Sequence, residues 1–139
     1  MLCQNRRFVM PLNLDHTIVP AYDKVKSAQF IARILGLEYT GPYGHFAPVK
    51  INETFTLDFD NSDKPHSNHY AFLASDEEFD TILQRVKDEG ILFGSGPGSR
   101  TDGEINHKHQ GRGFYFDDEN GHVWEIITHT YISSSSGTS

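Results

Sequence analysis

The chain has 139 residues, 37% of them hydrophobic and 12% aromatic, enough for one domain to bury a core without staples. Nineteen acidic against twelve basic side chains give a net charge of −7, which disfavours nucleic acid as a partner. The single cysteine, Cys3, cannot close an internal disulfide, and no apolar run is long enough for a signal peptide or a membrane span, so a cytoplasmic protein is expected.

Residues 1–11 show no period and read as a leader or extension. From Leu12 to Val19 the side chains alternate, with Leu14, His16 and Ile18 on one face of a strand, and Pro20 is expected to end it. Val25, Ala28, Ala32 and Leu35 recur at helical steps, so a helix is predicted over 23–37 with Gly36 as its stop signal. Phe46 to Ile51 and Thr54 to Phe59 are β-rich runs joined by Asn52-Glu53 and read as a hairpin. The polar stretch Asn61 to Asn68 is a connecting loop.

The order then repeats. HYAFLA over 69–74 reads as a strand, Ser75 and Glu78 form a capping box, and Phe79, Ile82, Leu83 and Val86 make one apolar stripe on a helix closed by Gly90. A short strand is expected at 91–94, a Gly-rich loop at 95–110, and two last strands at 111–116 and 122–130, before a disordered tail over 132–139.

Both halves run strand, helix, strands. His16 and His69 stand 53 residues apart, and the helix stops Gly36 and Gly90 stand 54 apart, as an internal duplication requires. The expected fold is α+β: one domain over 12–131 made of two paired βαβββ modules, 12–62 and 67–131, with eight strands forming curved mixed sheets around a metal or ligand cavity. A single module leaves an apolar sheet face uncovered, so two must pack together within the chain or by exchange with a second chain.

The duplication places His16 and His69 at the starts of equivalent strands. On the closing strand, HVWEIIT sets Glu125 between Trp124 and Ile126, a run too apolar to hold a lone charge without a partner. Two imidazoles and one carboxylate leave open positions on a divalent metal for water or substrate, and suit Fe, Mn, Ni, Co and Zn alike.

LDHTIV followed by a helix ending in LG, HYAF followed by DEEFD, and above all GRGFYFDDENGHVWEI together resemble the vicinal oxygen chelate superfamily of glyoxalases, extradiol dioxygenases, fosfomycin-resistance enzymes and bleomycin-resistance proteins. The resemblance covers residues 12–131. It implies that His16, His69 and Glu125 are metal ligands and that Tyr115, ten residues before Glu125, contacts a metal-bound substrate oxygen. It also implies a homodimer and a small-molecule substrate.

Two departures stand out. Glyoxalase I uses a further Glu on the last strand of its first module, where this chain aligns apolar Leu57, with Asp58 expected on the opposite face of a regular strand. The second module is also longer, and its extra loop carries Asn106, His107 and His109, followed by Arg112; His107 and Arg112 are expected to orient substrate or shuttle a proton. The function expected is a metal-dependent enzyme of the glyoxalase or dioxygenase type acting on a small oxygenated metabolite or xenobiotic. The alternative is a metal-free small-molecule binding protein of the bleomycin-resistance kind.

Overall fold

The computed structural model describes residues 12–132, so the expected leader over 1–11 and all but the first residue of the expected tail over 132–139 lie outside the described residues. In chain order the elements are β1 (His16–Ala21), α1 (Lys24–Leu35), β2 (Ala47–Lys50), β3 (Thr56–Asn61), β4 (His69–Leu73), α2 (Asp76–Asp88), β5 (Phe93–Gly94), β6 (Gly113–Asp117) and β7 (Val123–Ile127). They form a three-stranded sheet, β1-β3-β2, and a four-stranded sheet, β4-β7-β6-β5. β1 runs parallel to β3 as β4 runs parallel to β7, and β2 and β6 are the antiparallel neighbours of β3 and β7. The two modules therefore share one topology.

The described residues hold seven strands, not the expected eight. The first module lacks a counterpart of β5, because Gly41 (φ 101°) and Gly44 (φ 61°) bracket Pro42 in backbone that cannot continue a ladder, leaving only the bridge between Tyr43 and Phe46. β1, by contrast, runs through Pro20 to Ala21. As an edge strand it pairs on one side only, so a missing N–H is tolerated there.

Both helices start and stop as their sequences direct. Asp23 caps α1 by accepting from the Lys26 amide, and Gly36 ends it in the left-handed region at φ 75°. The Ser75 capping box is formed at α2, whose buried face is Phe79, Ile82, Leu83 and Val86. No helix among the described residues is long and apolar enough to cross a membrane.

The modules join through α1 and the closing turn. Phe30 meets Phe116 edge-on at 6.4 Å, and Asn120 donates to Ser27 Oγ while accepting from the Tyr22 amide. His122, fully buried, accepts the Asn68 amide at Nδ1, which fixes its proton on Nε2; that nitrogen donates to the Pro20 carbonyl at 2.7 Å. These contacts use the helix-covered sides of the sheets. Val19, Leu57, Phe59, Trp124 and Ile126 point into that core, and the alternate residues His16, Ile18, Asp58, His69, Ala71 and Glu125 lie on the open faces.

Candidate metal centre

The β-ladders build the site. Glu125 stands directly opposite Tyr115 on one side and Ala71 on the other, and His69 is two residues along β4 on the same face. That spacing lets long side chains meet diagonally, and His69 Nε2 lies 2.8 Å from Glu125 Oε1. The imidazole is half exposed, whereas the carboxylate is only 16% exposed, so the acid is set deep and the histidine closes over it. The Tyr115 ring centroid lies 6.0 Å from that of His69. Burial, aided by the neighbouring Glu125 carboxylate, pushes the Tyr115 hydroxyl up to about 12, so it remains a neutral donor across the physiological range.

These three residues line a cavity of about 490 Å³ together with Leu73, His109 and Tyr131. Its composition, apolar walls with a few convergent polar atoms, suits a small organic ligand. An imidazole nitrogen and a carboxylate oxygen that meet at its floor are donors of the right kind for a divalent ion, so the residues present fit such a group. Among the described residues, however, no three His, Cys, Asp or Glu side chains converge closely enough to enclose one ion.

His16 occupies the same place on the first sheet that His69 occupies on the second: it pairs with Thr56 as His69 pairs with Val123. It lies on an open face, outside the lining of the His69 cavity. Its Nδ1 lies 2.8 Å from Asp15, and that bond, with a smaller contribution from the charge of Asp58, holds the imidazole above its ordinary value.

The ladder registers also correct the first-module alignment. Ile18 pairs with Asp58 as Ala71 pairs with Glu125, so the counterpart of Glu125 is Asp58, and Leu57, fully buried, corresponds to Trp124. Counting from His16 misses this because the two modules differ in loop length. The alternation itself carries the signal: Leu57 and Phe59 match Trp124 and Ile126 as the core pair, which leaves Asp58 to match Glu125.

Arg112 is engaged elsewhere. Its guanidinium donates to Asp80 at 2.7 Å and Asp76 at 2.9 Å and lies 4.4 Å from the Phe79 ring centroid, which ties the closing hairpin to the start of α2. His107 is exposed and does not line the cavity. Its loop neighbour His109 does, carried there by left-handed backbone at His109 (φ 57°) and Gln110 (φ 60°), conformations that non-glycine residues rarely adopt. The Gly-rich loop thus reaches the site through a different histidine.

The family model for the Glyoxalase/Bleomycin resistance protein/Dioxygenase superfamily matches residues 13–126. The chain belongs to this superfamily. Within it, the chain is similar to the glutathione transferase FosA of Serratia marcescens, at 25% identity over 82% of this chain and 79% of that one. Among solved structures it resembles the oxidase ChaP-H2, with 48% identity, a TM-score of 0.84, and 89% and 98% of the two chains covered. The oxidase ChaP-H1 follows at 42% identity and a TM-score of 0.83, covering 88% and 99%. Membership therefore sets this glyoxalase-type chain beside enzymes, one a transferase and two oxidases.

Proposed function

We propose that the protein is a metal-dependent enzyme of the oxidase or dioxygenase kind, acting on a small organic molecule that carries adjacent oxygens. The single observation that carries this reading is the 2.8 Å contact between His69 and Glu125 at the floor of a cavity also lined by Tyr115. His69 and Glu125 of one protomer, with His16 of the partner subunit, hold a divalent ion, Fe, Mn, Ni, Co or Zn. Two imidazoles and one carboxylate are the set that non-haem iron oxygenases use, with positions left open. When bound, the ion supplies Lewis acidity and a point at which substrate oxygens chelate.

The chain's own residues do the rest. Neutral Tyr115, opposite Glu125, donates a hydrogen bond to a substrate oxygen, and Leu73, Ile127 and Tyr131 give the cavity apolar walls. Of the two chemistries named among relatives, oxidation is preferred, because the oxidase shares 48% of its residues with this chain and the transferase 25%.

A homodimer supports this arrangement physically. Leu14 and Ile18 on the first open face and Leu73 on the second are each at least half exposed, at 67%, 51% and 65%, a placement that a second copy laid across the sheets would cover. The test is metal content of chelator-free protein with sedimentation analysis. One ion per protomer in a dimer, lost in His69→Ala and Glu125→Ala, is expected; a protein that binds no Fe, Mn, Ni, Co or Zn overturns the reading and leaves metal-free ligand binding.

A further inference from the structure

We propose that Arg85 heads a second ligand site, apart from the His69 cavity, that takes a small organic monocarboxylate with an apolar body. The site is a cavity of about 360 Å³ where the end of α1 meets the turn after β2, the end of β4 and one face of α2. It shares only Leu73 with the cavity of His69 and Glu125, so it stands whether or not those residues hold an ion.

Arg85 differs from the other arginines among the described residues. Arg33, Arg100 and Arg112 each donate to a carboxylate, of Glu89, Asp117 and Asp80 in turn, whereas Arg85 forms no ion pair. Its Nη1 donates instead to the Ile34 carbonyl at 3.1 Å, which sets a positive charge at the C-terminal end of α1. Gly36 makes this approach possible, because a Cβ there would stand 2.8 Å from both Nη1 and Nη2. The guanidinium is thus held in place by a hydrogen bond and by bare backbone. Its other edge, Nε and Nη2, makes no hydrogen bond among the described residues and is the edge a carboxylate engages through two parallel bonds.

The rest of the lining defines the ligand. Leu35, Leu37, Ile51, Phe72 and Ile82 supply apolar walls that favour hydrocarbon. Asn52, whose Oδ1 accepts from the Thr54 amide and hydroxyl, keeps its Nδ2 as a further neutral donor. The one acid on the lining, Glu78, is turned to Ser75 in the capping box and stands two helical turns before Arg85, about 10 Å of rise along α2. At that separation it leaves Arg85 open to an anion while disfavouring a second charge at the ligand's far end.

The experiment titrates hexanoate, hexan-1-ol and adipate into full-length protein and follows the Gly36 and Asn52 amide signals by NMR, with melting temperature measured on each variant. Hexanoate is expected to bind about tenfold or more tightly than either other probe. Thr81 is exposed, and Thr81→Glu places a carboxylate four residues before Arg85 on the same helix face, where it competes with the ligand. This variant should keep its melting temperature and weaken hexanoate by about tenfold or more. Arg85→Gln should weaken hexanoate likewise, with a lower melting temperature because the bond to Ile34 is lost. His69→Ala should bind hexanoate as wild type does. Equal affinity for hexanoate and hexan-1-ol, or hexanoate binding that Thr81→Glu leaves unchanged, overturns the proposal. Loss of hexanoate binding in His69→Ala also overturns it, since the acid then sits in the His69 cavity. Metal content is read separately on the same samples, so failure of either reading leaves the other standing.

Discussion

His69 and Glu125 touch at 2.8 Å within one chain, while His16, the duplicate of His69, presents itself from a separate sheet. If the proposed shared site is right, with two of its three ligands on one open face and the third on the other, mixed variants have a sharp expectation. His16→Ala and Glu125→Ala homodimers should each hold well under one ion per protomer. When the two are co-refolded, a heterodimer has one site with neither lesion and one with both. Metal should return to about one ion per heterodimer, and inductively coupled plasma mass spectrometry on the isolated heterodimer reads it. A site contained in one protomer restores nothing on mixing.

His122 makes the opposite kind of contact, since it is fully buried and joins modules rather than building a cavity. It links the Asn68 amide to the Pro20 carbonyl, and loss of the ring leaves both groups unpaired beside a void next to Trp124. His122→Ala should destabilise the protein by about 3 kcal/mol, from two part-buried hydrogen bonds and a cavity. Urea unfolding at fixed protein concentration measures this. The folded fraction should keep its metal, because no part of His122 lines the cavity.

Arg112 tests whether loop position or geometry decides a role. Its side chain is 26% exposed and shared among Asp76, Asp80 and Phe79, an arrangement that calls for a planar, bidentate cation. Arg112→Ala should cost about 1–2 kcal/mol of stability, and Arg112→Lys should recover only part of it. Turnover per folded, metal-loaded protomer should stay within about twofold of wild type. A loss of turnover with unchanged melting temperature would return Arg112 to the substrate.

Much of this fold was legible in the chain because its signals are local. The Ser75 capping box, the Phe79 to Val86 stripe and the stops at Gly36 and Gly90 are set by residues three or four apart, and the structure repeats them. What escaped depends on partners distant in sequence. Pro20 reads as a terminator until β1 is seen to be an edge, and Leu57 rather than Asp58 reads as the counterpart of Glu125 until the β1-β3 register is known. The Gly-rich loop offers His107 and His109 equally in sequence. Only the left-handed turn at 109–110 chooses between them.

Tyr115 carries the last prediction, which is one of pH. Its folded value of about 12 lies above the ordinary 10, so the fold holds the protonated phenol more tightly than the unfolded chain does. The resulting stabilisation is complete below pH 10 and is lost as the pH climbs from there through 12. Metal-free Tyr115→Phe should therefore differ from wild type by a stability gap that narrows between pH 10 and pH 12, read by urea unfolding. In ultraviolet difference titration the variant should lack one of the late-ionising tyrosines, the other being Tyr70, which burial also pushes up. If the step missing from Tyr115→Phe instead titrates near pH 10, the hydroxyl is solvated. It would then be poorly placed to donate to a substrate oxygen beside Glu125.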